Sequence, residues 1–197
     1  KAPIKEAVWE EINCEIAESI CNISDEAMGN HKSGKDIKIN NFNISNKSCK
    51  LDGNCISLSS YRLTSVCSNK NISNKENIIN EIYKRDESFD YYSILMRDES
   101  IYPNIKYMWY MIPKDYYIFK ITDLKHKIGK IGNNKGNIVG WESKYCDITF
   151  SMSSQLWYKF NIDLIKKYKI SEVTVCNNKP KIKYSRLFDI ITTLNLS

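Results

Sequence analysis

Residues 29–64, GNHKSGKDIKINNFNISNKSCKLDGNCISLSSYRLT, are the stretch that decides how this chain folds. Residues 36–39 alternate polar and apolar side chains, as a half-buried strand does. Asn40 and Asn41 tolerate positive φ and indicate a turn, after which residues 42–51 predict a second strand. A second turn, Asp-Gly-Asn at 52–54, and a third strand at 55–63 complete a predicted three-stranded meander.

One acid and one lysine in this meander are predicted to share a surface. Because side chains alternate along a strand, Ser45 and Lys47 project to one face, and Ile44 and Asn46 project to the other. Asp36 opens the neighbouring strand. Hydrolysis of a phosphodiester needs carboxylates that hold Mg²⁺ and a cation that polarises water or steadies the phosphate. Any hairpin with a surface Asp and Lys would match, so a plain structural hairpin is the competing interpretation.

Composition and charge restrict the class of protein. With 197 residues, 42% hydrophobic and 12% aromatic, the chain is long and apolar enough for one folded domain rather than a disordered chain. Its net charge of +6 favours anionic partners, although many soluble proteins carry such a charge. No secretory signal and no apolar run long enough to span a bilayer is visible, so we expect no membrane partner.

The seven cysteines indicate an intracellular, cytoplasmic setting. They are scattered with no CxxC pair, which argues against a zinc ribbon or a thioredoxin-type site. Several lie among apolar neighbours, as reduced core cysteines do. Cys49 and Cys55 flank the second turn, so a disulfide between them is the alternative.

The best helix precedes the meander, at residues 4–21. Ile4, Val8, Ile12, Ile16 and Ile20 repeat every four residues along one stripe. At about 100° per residue, Glu15 is predicted closest to this stripe and Glu11 at its edge. These acids either solvate the helix or reach over the core toward the hairpin.

The remaining chain alternates strand and helix signals. Strands are predicted at 91–96, 105–112, 116–121, 145–152 and 173–176, and helices at 73–82, 153–168 and 186–196. Residues 125–140 are rich in Gly, Asn and Lys and predict an exposed loop or ribbon. The order predicts an α/β (α+β) fold in one domain over residues 1–197, with a mixed sheet and helices on both faces.

GNHKSGKDI at 29–37 followed by NISNKS at 43–48 resembles the PD-(D/E)xK nuclease superfamily, especially its type II restriction endonucleases. The later run FSMSSQLWYKFNI at 150–162 is similar to a segment that follows the catalytic core in such enzymes. The resemblance covers residues 6–64 and this run. It implies a restriction-endonuclease-like mixed sheet flanked by helices. It also implies a homodimer that cuts double-stranded DNA at specific sequences with Mg²⁺ as cofactor.

The resemblance also implies roles for individual residues. Asp36 takes the place of the shared metal-binding acid and Lys47 that of the catalytic lysine. Ser45 occupies the slot usually held by Glu or Asp, so a helix must supply the missing carboxylate. Glu11 is the favoured donor, and Glu15, Glu76 and Glu81 remain alternatives. The implied catalytic set is Asp36, Ser45, Lys47 and Glu11, and the implied metal ligands are Asp36, Glu15 and the carbonyl of Asn46.

Four segments carry side chains suited to DNA. Hydroxyl groups and arginine hold phosphates, whereas Asn suits adenine and Lys suits guanine in a groove. The candidate contacts are His31, Lys32, Ser59, Ser60, Tyr61, Arg62, Lys130, Asn133, Asn134 and Lys135, together with Ser153 and Gln155 at a predicted helix start. A surface loop without a partner is the alternative for residues 125–140. Two other functions stay open: a DNA repair or recombination nuclease, and a catalytically idle DNA-binding or assembly module.

Overall fold

The computed structural model describes residues 4–20, 36–62, 87–119, 125–132, 135–150 and 155–176. Together these ranges form a mixed α+β structure with one α-helix packed on a large mixed sheet. The elements are α1 (Glu6–Ile20), β1 (Ile37–Ile39), β2 (Phe42–Asp52), β3 (Cys55–Arg62), β4 (Tyr91–Asp98), β5 (Asn104–Pro113), β6 (Lys125–Ile128), β7 (Ile138–Glu142), β8 (Cys146–Phe150), β9 (Gln155–Asn161) and β10 (Lys169–Cys176), with short 3₁₀ helices at Tyr117–Phe119 and Ile162–Tyr168.

Strand β2 joins the two halves of the sheet. The first half contains β10, β5 and β4, and the second half contains β3, β9, β8, β7 and β6. The strand order is β10-β5-β4-β2-β3-β9-β8-β7-β6, and β1 pairs with β2 outside this path. Residues 44–50 of β2 pair in parallel with β4, whereas its last two residues, Leu51 and Asp52, pair antiparallel with β3. The predicted meander of β1, β2 and β3 is therefore confirmed, and it lies at the centre of the sheet.

The main core lies between the two halves of the sheet. One face of β4 and β5 contributes buried side chains such as Ile94 and Tyr110, and β7 to β9 contribute others such as Trp141 and Tyr158. Phe119 joins the halves, because its ring lies 4.9 Å from Tyr92 and 6.2 Å from Tyr158, centroid to centroid. Burial on this scale is the main favourable contribution to folding.

Helix α1 covers the face of β2, β4 and β5 that points away from the main core. Trp9 packs there with Leu95, Ile105 and Tyr107, and Ala17 packs with Ile44 farther along the helix. In the described residues, helix α1 therefore covers one face of this half-sheet, and the second half of the sheet packs against the opposite face. No helix in the described ranges is long and apolar enough to cross a membrane.

Two predicted elements differ from the structure. Residues 153–168 were expected to be helical, but β9 runs to Asn161 and a 3₁₀ helix follows. The i, i+4 spacing of Leu156, Phe160 and Leu164 competes with the alternation of buried Tyr158, Phe160 and Ile162, and two neighbouring strands favour the latter. Residues 117–119 form a 3₁₀ helix rather than part of a strand. The predicted helices at 73–82 and 186–196 lie outside the described residues.

The segment 125–140 is an ordered hairpin in its described part. Strands β6 and β7 pair antiparallel across it, and β7 continues the sheet onto β8. This agrees with the ribbon alternative rather than with a loop. Gly140 is required in β7, because its φ is +152° and a Cβ atom would lie 1.9 Å from the carbonyl oxygen of Ile148.

The described cysteines are free thiols. Cys49 and Cys55 form no disulfide, in agreement with the expected reduced state. Burial raises the pKa of the Cys49 and Cys146 thiols to about 12. Both are therefore protonated core side chains rather than nucleophiles.

Candidate active site

The turn between β1 and β2 positions Asp36 beside Ser45. Asn40 adopts a φ of +51° in this turn, and the register that follows pairs Ile37 with Ile44. The backbone N–H of Asp36 donates to the carbonyl oxygen of Ile44 at 2.9 Å, and the hydroxyl of Ser45 lies 3.3 Å from Asp36 Oδ2. The Asp36 side chain therefore lies on the face of β2 that Ser45 and Lys47 share.

Three groups of β2 surround one oxygen of Asp36. The backbone N–H of Asn46 donates to Asp36 Oδ2 at 2.5 Å, and the Ser45 hydroxyl donates to the same oxygen at 3.3 Å. Lys47 Nζ lies 3.9 Å from that oxygen and donates to the carbonyl oxygen of Asn46 at 2.8 Å. The carboxylate and the ammonium are thus held by the N–H and the C=O of a single residue, Asn46.

The pair is shielded from water. The Lys47 side chain is 12% exposed and the Asp36 side chain 25%, while Ser45 is 2% exposed. On β4, the fully buried Ile94 is the register partner of Lys47. Charges in such a partly desolvated position interact more strongly with each other, and with a bound anion, than charges on an open surface.

The oxygen donors in the described part of the site suit a Mg²⁺ ion that keeps most of its bound water molecules. Asp36 offers a carboxylate and Asn46 a backbone carbonyl, and both are oxygen donors of the kind Mg²⁺ prefers. Within the described ranges, no three His, Cys, Asp or Glu side chains gather into a metal site. One carboxylate is enough only when waters and substrate phosphates complete the octahedron. A cation bound at the Asn46 carbonyl would repel the Lys47 ammonium, which donates to the same oxygen.

The expected placement of Glu11 and Glu15 is wrong. The face of α1 that contacts the sheet runs along Trp9, Asn13 and Ala17, which are all buried, whereas Glu11 and Glu15 lie on the exposed, opposite face. At about 100° per residue, the average direction of the isoleucine stripe lies about 100° around the helix from that of Trp9, Asn13 and Ala17, so the stripe does not mark the buried face.

The sheet also separates α1 from the candidate site. Helix α1 packs on the face of β2 that carries Ile44 and Asn46, whereas Ser45 and Lys47 project from the opposite face. Neither Glu11 nor Glu15 is therefore brought to Asp36 in the described structure. The alternative donors Glu76 and Glu81 lie outside the described residues.

The candidate DNA contacts fall on separate strands. Ser59 pairs with Trp157 on β9, and the β3 backbone continues through Ser60, Tyr61 and Arg62. Gln155 begins β9 rather than a helix, so the predicted helix start at this residue is wrong. Five more predicted contacts lie outside the described residues: His31, Lys32, Asn133, Asn134 and Ser153.

An open cleft of about 780 Å³ lies along the β6–β7 hairpin. Its lining combines Lys130 and His126 with the acids Glu142 and Asp147. Lys127 is ion-paired with Asp147 across the cleft. Lys130 and Lys135 are both exposed, as binding of the hairpin in a DNA groove requires. Glu142 and Asp147, however, reduce the positive charge of the hairpin surface that the sequence predicted.

A buried polar cluster behind β2 was not predicted from the sequence. Asn13 of α1, Asn46 of β2 and Ser93 of β4 are each 0% exposed, and the Asn13 amide donates to the other two. The available signal was Asn13 itself, since asparagine is a poor helix former and lies four residues from both Trp9 and Ala17. No protein-family model, no curated protein and no solved structure matches the chain.

Proposed function

We propose that this chain is a Mg²⁺-dependent, sequence-specific endonuclease of the restriction type, which hydrolyses phosphodiester bonds in double-stranded DNA. The observation that carries the proposal is the Asp36–Asn46–Lys47 arrangement, in which a carboxylate and an ammonium from adjacent strands share one partly buried surface. Mg²⁺, when bound, would polarise the scissile phosphate and lower the pKa of a bound water.

The chain's own residues have three tasks in this proposal. Asp36 and the carbonyl of Asn46 would hold the ion. The Lys47 ammonium, once it leaves that carbonyl, would contact a phosphate oxygen and stabilise negative charge that develops in the transition state. The Ser45 hydroxyl, which donates to Asp36 Oδ2, would keep that carboxylate oriented. A two-fold symmetric recognition sequence would be matched by a homodimer.

Digestion of a plasmid or phage DNA of known sequence, with and without Mg²⁺, tests the proposal. Discrete fragments whose ends share a short sequence are the expected result. Asp36→Ala and Lys47→Ala should each abolish cleavage and retain DNA binding. Lys50→Ala is the matched control, because Lys50 lies on the same strand but is exposed and paired with Glu99. Full cleavage by Asp36→Ala would exclude this site as the catalytic centre.

Cutting of branched or mismatched substrates without sequence preference would instead favour a repair or recombination nuclease. A panel of short duplexes, flaps and four-way junctions, each incubated with Mg²⁺, separates these two nuclease functions. Restriction-type activity gives cleavage of only those duplexes that contain one particular sequence.

A catalytically idle DNA-binding or assembly module is the second candidate. It is favoured by the presence of a serine hydroxyl, rather than a second carboxylate, beside Asp36 in the described residues. Calorimetric titration with Mg²⁺ and Mn²⁺ discriminates, because an idle module needs no metal. Absence of heat that depends on Asp36, together with retained DNA binding, would favour the idle module.

A further inference from the structure

The buried polar residues of the described structure converge on one short part of β2. They are Asn13, Ser45, Asn46 and Ser93. Ser45 faces Asp36, whereas the other three form a cluster on the opposite face of the same strand. These four Asn and Ser residues of the described structure thus lie directly in front of or behind residues 45 and 46.

The cluster behind β2 ties four elements together. Asn13 Nδ2 donates to Asn46 Oδ1 at 2.5 Å and to Ser93 Oγ at 3.0 Å. Trp109 Nε1 of β5 donates to the same Ser93 Oγ at 2.9 Å, and Trp9 Nε1 donates to the Ser93 carbonyl oxygen at 3.3 Å. We refer to Asn13, Asn46, Ser93 and Trp109 as the Asn13 network.

The network is not an efficient source of stability. Among the described residues, Asn13 Oδ1 and Asn46 Nδ2 are buried without a hydrogen-bond partner. Each such atom costs about 1–3 kcal/mol, and apolar side chains of similar shape would avoid that cost. When buried polar groups lower the stability of the fold, a role for them is to hold neighbouring groups in one arrangement.

The geometry imposed here is that of the Asn46 backbone. Residues 44 and 46 point their backbone groups to the same edge of β2, where β1 pairs with residue 44. At residue 46 that edge receives the Asp36 carboxylate on the N–H and the Lys47 ammonium on the C=O. The Asn46 side chain is therefore held from behind while its backbone holds both charged groups in front.

We infer that Asn13, Ser93 and Trp109 are positioning residues that fix Asn46, and through it the relative placement of Asp36 and Lys47. The register supports this function, since Asn46 and Ser93 are direct partners in the parallel pairing of β2 with β4. The inference rests on the proposed function only where it concerns catalysis. Its structural half, the immobilisation of the Asn46 backbone by the network, stands independently.

The test compares Asn13→Ala with Leu95→Ala. Leu95 also lies on β4 against α1, in the apolar cluster with Trp9 against which Trp109 packs, so its truncation removes apolar contacts of the same interface and leaves every hydrogen bond of the network in place. Asn13→Ala should lower kcat about 10- to 100-fold with the KM for DNA unchanged, as expected for displaced catalytic groups. Leu95→Ala should change kcat less than about threefold below its melting temperature. Ser93→Ala should follow Asn13→Ala, and Ser93→Thr, which keeps the hydroxyl, should restore most of the activity.

Hydrogen exchange of the Asn46 amide is the readout that does not depend on activity. Asn13→Ala should accelerate exchange at Asn46 about tenfold more than at the flanking β2 amides, whereas Leu95→Ala should affect these amides equally. Equal losses of kcat in Asn13→Ala and Leu95→Ala, or unchanged exchange at Asn46, would overturn the inference. If the wild-type chain does not cleave DNA, the proposed function fails, and if Asp36→Ala cleaves DNA normally, this site is not the catalytic centre; in both cases the exchange result still decides the structural half.

Discussion

Replacement of Asp36 by alanine removes the acceptor at the centre of the candidate site, and the structure allows its effect on stability to be worked out. The bond from the Asn46 N–H at 2.5 Å is the main loss, and hydrogen bonds to charged groups contribute about 1.5–3 kcal/mol. The Ser45 bond at 3.3 Å is longer than a normal O–H···O bond and adds little. The Lys47 ammonium at 3.9 Å adds at most about 1 kcal/mol.

Water partly offsets these losses, because the Asp36 side chain is 25% exposed and its site can be hydrated when the carboxylate is gone. We therefore expect Asp36→Ala to lower the free energy of unfolding by about 2 kcal/mol. For a domain of this size the melting temperature should fall by about 4–8 °C. Asp36→Asn, which retains an oxygen acceptor but not the charge, should lose about half as much.

Urea unfolding in EDTA, followed by circular dichroism, measures this difference without any contribution from metal. Glu11→Ala is the control, because that acid is exposed on α1 and its removal should change the unfolding free energy by less than about 0.5 kcal/mol. Added Mg²⁺ should stabilise the wild-type chain and leave Asp36→Ala unchanged, since only the state that binds the ion gains from it. A variant Asp36→Ala as stable as the wild type in EDTA would refute the reasoning from these contacts.

Three further changes test the fold around the site. Gly140→Ala should destabilise the protein by about 3 kcal/mol or more in urea unfolding, because the new Cβ would meet a carbonyl oxygen of β8 at 1.9 Å and the residue has a φ of +152°. Ile94→Ala should lower the unfolding free energy by about 2–5 kcal/mol, since this side chain is fully buried. Hydrogen bonds from Lys50 and Arg97 lower the pKa of the Glu99 carboxyl, so Glu99→Gln should be less stable than wild type at pH 7, and this difference should shrink as the pH falls below 4.5, measured by unfolding across this range.

Each of these predictions has a contradicting result. Gly53→Ala tests positive φ without a clash, because Gly53 has a φ of +59° with nothing within 4 Å of its added Cβ. Equal effects at Gly53 and Gly140 would show that steric contact is unimportant. The sign for Glu99 follows from its lowered pKa: the stabilisation is complete above the usual value of 4.5 and is lost as the pH falls through the folded pKa. A wild-type advantage that does not shrink as the pH falls below 4.5 would exclude the carboxylate as its source.

The meander was predictable because local signals determine it. The Asn40–Asn41 turn and the Asp-Gly-Asn turn set the register within a few residues, so the alternation that places Lys47 opposite Asn46 follows from the sequence. The contact between Asp36 and Lys47 could therefore be anticipated.

The Asn13 network could not be predicted, because it depends on which face of α1 is buried. Trp9, Asn13 and Ala17 form that face, although the isoleucine repeat is the stronger periodic signal along the helix. Which stripe is buried is settled by the strands that receive it, and Val8 remains 45% exposed as a result. For the same reason β9 was predicted as a helix, since pairing with β3 and β8 overrides its local periodicity.

The contacts of Asn46 differ greatly in the length of chain that they close, which affects the order in which the site can form during folding. Its bond to Asp36 closes 10 residues, whereas Asn13 reaches it across 33 residues and reaches Ser93 across 80. Longer closures lose more chain entropy and form more slowly. We therefore expect Asp36 and Lys47 to come together with their hairpin during synthesis, and to become rigid when β4 pairs with β2.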